Sequence, residues 1–388
     1  MSHVTISDAI LYIGADDTTL DLFESQYAVP NGVSYNSYVI LDEKTAVLDT
    51  VDARKTDEWF ANLDSALADR IPDYLIISHL EPDHAANIAR FAEKYPTAKL
   101  VLTAKAKAML PQFFDIANLN DRCMTVAEGD TLNLGTHELQ FILAPMVHWP
   151  EVMVEYEKTE KVLFSADAFG KFGALSSDEE WLPEARRYFL NIVGKYGAPV
   201  QTLLKKAATL DIQTICPLHG PILKENLSYY IEKYLTWSSY TPEEDGVVIA
   251  CASIHGNTKA AAEKMAEILR KKGATVKFID LTRDDMAEAI ACAFRYSKLV
   301  LAAASYDGGV FPPMEDFLNR LSHKAFQKRT IGLIENGSWA PVAAKSMQNI
   351  LATMKNLTIC EPTVTIKSTM KPADVTAMEA LADALLAQ

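Results

Sequence analysis

The pattern of apolar and polar positions changes character near residue 245. Before that point, residues 7–14, 37–41 and 45–49 read as short extended runs. The last two are separated by the polar turn Asp42-Glu43-Lys44, which predicts antiparallel strands. Trp59, Leu63 and Leu67 recur at four-residue spacing and predict a helix over 54–68. Leu75-Ile76-Ile77 is a short buried-strand pattern; a helix over 85–94, a strand over 100–103 and a short helix over 104–110 come after it. Extended segments recur at 123–127, 131–134, 137–143, 152–156 and 161–165. Helical character then dominates 177–210, a strand covers 214–216, and a further helix reaches about residue 240. Strands with interspersed helices, without strict alternation, predict two sheets sandwiched between helices.

Residues 241–246 (Thr-Pro-Glu-Glu-Asp-Gly) are polar, contain Pro and Gly, and read as a linker. Beyond them, strands at 247–252, 275–280, 298–304, 330–334 and 363–366 alternate with helical segments. That alternation predicts a doubly wound parallel sheet. The expected division is 1–245 and 246–388, a two-domain chain combining α+β and α/β parts.

Composition adds limits. At 388 residues, 49% apolar and 23% charged, the chain suits two or three globular domains. A formal net charge of −14 argues against nucleic acid as a partner. No apolar run approaches membrane-spanning length, and Met1-Ser-His-Val-Thr is not a charged stretch leading into an apolar one. A cytoplasmic protein with no membrane partner is therefore expected. Cys123, Cys216, Cys251, Cys292 and Cys360 stand far apart with no C-x-x-C pair, which excludes a disulfide framework or a zinc ribbon.

The strand over 75–77 delivers His79, Glu81, Asp83 and His84 within six residues, with Pro82 stiffening the turn. Four polar groups so close repel one another or stay solvated unless a cation joins them. His148, Asp167 and His219 each follow a predicted strand end. Taken alone, each is more ordinarily a structural histidine or a turn residue. Together the seven donors suit two metals bridged by a shared carboxylate, and Asp167, the acid apart from the first cluster, is the natural bridge. His3, His137, His255 and His323 fall outside this pattern.

In the second part, the first strand runs into Ser253-Ile254-His255-Gly256-Asn257-Thr258 and then a helix. Hydroxyl residues at a helix N-terminus suit a phosphate. The loop is neither a Walker motif nor a G-x-G-x-x-G fingerprint. Its S/T-x-x-G-x-T form resembles the flavodoxin phosphate loop, which implies FMN. Ligands of such sheets lie outside the carboxyl ends of the strands. There the third strand leads to Ser305-Tyr306-Asp307-Gly308 and the fourth to Gly337-Ser338-Trp339. Both loops pair glycine with an aromatic residue, suited to backbone contacts with an isoalloxazine and to stacking on it.

The H-x-E-x-D-H run resembles the metallo-β-lactamase superfamily, with Glu81 where a second histidine is usual. Followed by a lone His, an Asp and a final His, it is similar to the flavodiiron proteins (A-type flavoproteins). Carboxylate for imidazole also makes a harder site that favours iron over zinc. The resemblance implies an N-terminal αββα metallo-β-lactamase-like sandwich and a C-terminal flavodoxin-like domain. It further implies FMN and two non-haem irons that reduce O2 to water or NO to N2O. His79, Glu81 and His148 would hold one iron and Asp83, His84 and His219 the other, with Asp167 bridging and no catalytic residue beyond the ligands. His84 is not a ligand in every member of that family. An external donor, rubredoxin or reduced F420, and a head-to-tail homodimer or dimer of dimers are implied as well. The sequence departs from the family at Asp307-Gly308, where an Asn pair is frequent. The competing expectation is a dizinc hydrolase with an accessory flavodoxin-like domain.

Overall fold

The computed structural model describes residues 6–388, so His3 lies outside the described residues. Two compact units emerge. The first comprises the described residues to Tyr188 together with Ala198–Leu235; the second comprises Phe189–Gly197 and Thr236–Gln388. The units change over at Leu235/Thr236, a little before the expected division near residue 245.

The first unit holds two sheets. In the six-stranded sheet the order is Ile10–Tyr12, Tyr38–Leu41, Thr45–Leu48, Tyr74–Ile76, Lys99–Thr103 and Cys123–Val126. Its first pairings are antiparallel and its last three parallel. In the five-stranded sheet the order is Thr131–Asn133, Glu138–Leu143, Met153–Glu157, Val162–Phe164 and Thr214–Cys216. Only its last pair is parallel. Ile10, Ile40, Leu48, Ile76 and Val101 of one sheet join Leu139, Phe141, Met153 and Phe164 of the other in a single buried cluster. Alternate residues of each strand face inward, and this shared apolar layer holds the sandwich together. The helix Thr56–Leu67 buries Trp59, Leu63 and Leu67, the predicted stripe, and Trp59 Nε1 donates to Ser37 Oγ at 3.0 Å. The αββα sandwich expected for the N-terminal part is the fold found.

Some elements differ from expectation. Ala15–Asp17 pairs with Val33–Tyr35, and Leu22–Phe23 with Tyr27–Ala28, in a stretch too short in apolar runs to announce strands. Helical character over 177–210 is split into Trp181–Tyr188, a π-helical Phe189–Val193, a 3₁₀ turn Gly194–Tyr196 and Gly197–Ala207. The helix expected over 85–94 starts earlier, with the short turn Pro82–Ala85 ahead of Ile88–Lys94. Pro82 at its first position needs no amide partner and has its φ preset for a helix.

The second unit is a parallel sheet in the order Val276–Asp280, Glu244–Ala252, Tyr296–Tyr306, Gln327–Asn336. Beyond these, Lys355–Ile359 and Val364–Ile366 pair with successive parts of the same outer strand. The first of those two escaped the sequence reading because its polar, exposed residues (Lys355, Asn356, Thr358) carry no buried-strand pattern. The first strand also begins inside the expected linker, at Glu244. Helices Asn257–Lys271 and Pro372–Leu386 bury Met265, Leu269, Met378 and Leu381 against strand residues Val247, Ile249, Val300 and Ile334. Among the described residues no helix is long and apolar enough to cross a membrane.

Candidate metal centre and cofactor pocket

Strand pairing explains why distant residues converge. Tyr74–Ile76 runs parallel to both Thr45–Leu48 and Lys99–Thr103, so its continuation leaves the sheet at their carboxyl edge. In the other sheet Val162–Phe164 and Thr214–Cys216 are parallel, and Asp167 and His219 leave from their shared end. His148 sits in the connection between the antiparallel strands Glu138–Leu143 and Met153–Glu157. The first loop is pinned by side chains. Asp49 Oδ1 accepts from Ser78 N at 2.8 Å, and Glu151 Oε1 accepts from Leu80 N at 2.9 Å. The Pro82–Ala85 turn then sets Asp83 and His84.

All seven predicted donors come together, in two groups. Ligand atoms of His79, Glu81, His148 and Asp167 lie within 4.8 Å of one another, as do those of Asp83, His84 and His219. Asp167 faces both. Its Oδ2 lies 3.3 Å from His79 Nε2 and 3.0 Å from His148 Nε2, while Oδ1 lies 3.8 Å from His219 Nε2. His148 Nε2 is also 2.8 Å from Glu81 Oε2. In the second group His219 Nε2 lies 3.2 Å from Asp83 Oδ2 and 3.1 Å from His84 Nε2. His84, the member that varies in the family, thus points its Nε2 at the same spot as the others. His137 and His255 do not join them. His137 is held between Asp42 and Glu160, and His255 belongs to the second unit.

Two irons fit this donor set. His79 Nε2, His148 Nε2, Asp83 Oδ1 and Asp167 Oδ1 are buried with no hydrogen-bond partner, although carboxylates and rings surround them. Buried polar atoms are ordinarily satisfied, and a cation between donors resolves what hydrogen bonds do not. The facing Nε2 atoms of His84 and His219 can share only one proton. The other ring must offer a lone pair. His219 Nδ1 lies 2.7 Å from the Ser34 carbonyl oxygen, to which it donates, which turns Nε2 into the site; there the Asp83 carboxylate outweighs burial and raises its hold on a proton that a metal would displace. Protonation follows the same demand for positive charge. Burial opposes the charged ring of His79, yet the Asp167 carboxylate beside it holds His79 up at about 10. The Asp167 and Glu81 carboxylates beside it likewise outweigh burial and hold His148 up at about 11. Burial pushes His84 down to about 3, so this ring is neutral and able to donate. The donors are imidazole nitrogens and carboxylate oxygens without thiolate, a set suited to iron.

The sequence reading missed the supports of the site. Ser34, Asp49, Ser78 and Glu151 hold it by hydrogen bonds, and Phe23, Tyr35 and Tyr188 pack around the His219 ring at 5.5–6.0 Å between centroids. Asp49 at a strand end was a readable signal. The aromatic wall had none, since its members come from separate elements.

At the carboxyl edge of the parallel sheet lies a cavity of about 530 Å³. Of the predicted cofactor residues, Ser253, Ile254, His255, Asn257, Thr258, Ser305, Tyr306, Asp307, Gly308, Gly337, Ser338 and Trp339 line it. Gly256 does not line the cavity but shapes it. Its φ of +93° turns the loop into the helix Asn257–Lys271, a conformation glycine adopts without cost. Ser253 Oγ accepts from Gly256 N at 3.1 Å. The Ser305 hydroxyl accepts from Val342 N at 2.9 Å and Ala343 N at 3.1 Å and so ties down the start of the next helix. Asn336, just ahead of the Gly337–Trp339 stretch, also lines the cavity, as does Ser368, which nothing in the sequence singled out. Asn336 Nδ2 donates to Ser368 O at 2.8 Å, and Ser368 N donates back to Asn336 Oδ1 at 2.9 Å. The lining holds no lysine or arginine, and Lys259 turns to Asp280 Oδ2 at 3.0 Å. A bound phosphate is left to amides, hydroxyls and the helix N-terminus. Trp339 and Tyr306 stand exposed, by 93% and 45%, as flat apolar faces beside the cavity. This fits a ring cofactor such as FMN.

These two sites, on these two folds, define a flavoprotein with a dinuclear metal centre. A family profile described as ODP family beta lactamase matches residues 33–220. An uncharacterized protein of Methanocaldococcus jannaschii is 30% identical, over 81% of this chain and 80% of that one. The anaerobic nitric oxide reductase flavorubredoxin of Vibrio vulnificus is 28% identical, over 87% of this chain and 70% of the relative. Among solved structures, rubredoxin oxygen:oxidoreductase from Desulfovibrio gigas superposes with a TM-score of 0.92 and 26% identity, covering 99% of this chain and 98% of that one. The chain belongs to the flavodiiron protein family.

Proposed function

We infer that this protein is an oxidoreductase that takes electrons from a redox partner through FMN to a non-haem diiron centre and reduces O2 to water, NO to N2O, or both. One observation carries the reading: seven donors fall into two groups, and Asp167 of the first turns its other oxygen to within 3.8 Å of His219 in the second. When bound, FMN supplies reducing electrons and the diiron pair supplies two neighbouring redox metals with open positions for a diatomic ligand.

The chain's own residues then have defined tasks. His79, Glu81 and His148 would hold one iron and Asp83, His84 and His219 the other, with Asp167 placed to serve both. Glu81 is supported as a ligand by its 2.8 Å approach to His148 Nε2. Burial of His79, His84 and His219 at 1% exposure or less keeps bulk water from these donors. Residues 1–245 carry this centre and 246–388 carry FMN, held by the Ser253–Thr258 loop, by Tyr306, Asp307 and Gly308, and by Gly337, Ser338 and Trp339.

The redox partner is of the rubredoxin class, consistent with the activity named for the Desulfovibrio gigas relative. Reduced F420 is the alternative donor, and a head-to-tail homodimer or dimer of dimers is the assembly we propose. A cytoplasmic location is supported by the five free cysteines, four of them buried.

The test is direct. The purified protein is expected to be yellow and to carry about two irons per chain, as a site of two metals requires. It should consume O2 or NO once its flavin is reduced. A colourless protein that binds zinc in place of iron would end the proposal.

A further inference from the structure

Beside the loop support Asp49 lies a second buried acid, Glu155, that has no part in the function described so far. Asp49 directly follows the strand Thr45–Leu48, and Glu155 sits in the middle of Met153–Glu157; they are 2% and 0% exposed. Both meet one hydroxyl. Ser78 Oγ lies 2.5 Å from Asp49 Oδ2 and 3.3 Å from Glu155 Oε2. Ser78 N donates to the other Asp49 oxygen at 2.8 Å, and Glu155 Oε1 is buried with no partner.

Counting protons decides the state of this group. A serine hydroxyl donates one hydrogen bond and accepts others. The short contact commits that proton to Asp49. Were Glu155 ionised, it would present a bare carboxylate oxygen to a hydroxyl oxygen with nothing left to donate, at full burial. A proton on Glu155 turns the same contact into an ordinary hydrogen bond.

We propose that Glu155 is a neutral carboxylic acid heading a Glu155–Ser78–Asp49 hydrogen-bond chain, which stores one proton inside the metal-centre unit and positions the turn into His79. The titratable groups facing the pair are His79 and Asp167, besides the two acids themselves. Burial pushes Glu155 well above the usual carboxyl range, and the Asp49 charge adds to this. Burial pushes Asp49 up only to about 6, with His79 and Ser78 working against it. At neutral pH the proton therefore belongs to Glu155 and the charge to Asp49. Because its proton is committed to Ser78, Glu155 is a positioning residue and not a donor to substrate. Its effect reaches His79 through the Ser78 amide and hydroxyl.

Infrared H2O-minus-D2O difference spectroscopy of the protein, recorded as purified and again after chelator treatment, tests this. Wild type is expected to show the carbonyl stretch of a protonated carboxylic acid, sensitive to D2O, in both metal states, and Glu155→Gln to lack it. Glutamine keeps a donor for Ser78 Oγ, so that variant should retain metal against EDTA within about twofold of wild type. Glu155→Leu, which fills the space and donates nothing, should retain metal about tenfold less well. Absence of the band from wild type, its persistence in Glu155→Gln, or equal metal loss in the Gln and Leu variants overturns the proposal. Should Glu155→Gln fail to fold, Ser78→Ala decides: the band must persist there and move to higher frequency as its acceptor is lost, and an unmoved band refutes the chain. The spectrum reads a proton and not a metal, so its outcome is independent of which metals the centre holds.

Discussion

The two sites are built on opposite plans. The metal centre is made of side chains that are nearly all buried, drawn from four loops on two sheets, and its backbone serves only to aim them. In the flavin pocket, loops at one edge of one sheet line an open cavity with glycine, small hydroxyl residues and two exposed aromatics. A centre of charged, buried donors is intolerant, because deleting one leaves the rest uncompensated. A pocket of backbone donors spreads its binding over many weak contacts, and single side-chain changes there cost little.

The largest test of this contrast is Asp167→Ala. Each group loses the Asp167 oxygen that faces it, so iron content should fall below one per chain and turnover to background, with FMN stoichiometry unchanged. Elemental analysis beside flavin absorbance reads both. Glu81→Ala should come next, losing iron and turnover while the protein stays yellow; iron and rate retained together would remove Glu81 from the ligand set.

Acid should act on the centre in a definite direction. Metal-free His79 and His148 hold protons up to about 10 and about 11, so at neutral pH a binding metal must displace them. Protons compete below those values, hence apparent affinity rises with pH, by about tenfold per unit for each proton released. Zinc added to weakly buffered metal-free protein should acidify the solution, and no acidification would contradict these raised values.

On the flavin side the effects shrink. Gly256→Val places a β-branched residue at φ +93°, at a cost of about 1–3 kcal/mol. FMN should bind about tenfold or more weakly by fluorescence titration, while iron content holds. Smallest is Asp307→Asn. Removing a negative charge beside reduced, anionic FMN should raise its midpoint potential, by about 1–2 kcal/mol for a charge roughly 10 Å away at an effective dielectric near 20. An unchanged redox titration would show Asp307 to be out of range of the ring.

What could be read from the chain alone follows the locality of each signal. His79 to His84 is a dense, contiguous motif behind a strand, and the Ser253–Thr258 loop leads straight from a strand into a helix; each announces its chemistry within a few residues. The regular strand–helix alternation after residue 247 likewise predicts a parallel sheet and where its ligand edge lies. Those features come from side-chain period and turn chemistry, which are properties of short segments. The paired segments Ala15–Asp17 and Val33–Tyr35, the polar edge strand Lys355–Ile359 and the broken helix after Trp181 had no such local mark.

Tertiary structure decided the rest. Sequence order says nothing of which oxygen of Asp167 faces which histidine, or that His84 shares a spot with His219. Nor does it show that Ser305 spends its hydroxyl on a helix start. Least visible was Glu155, one acid in an alternating strand, whose meaning depends on a single hydroxyl 77 positions away in the chain. From the chain alone came the His79–His84 run, the phosphate-loop pattern Ser253–Thr258 and the order of the two folds, because those lie in contiguous stretches. Packing of one sheet on the other set the distances between the donors and the burial that governs their protons, because burial and distance between remote residues exist only once the chain has folded.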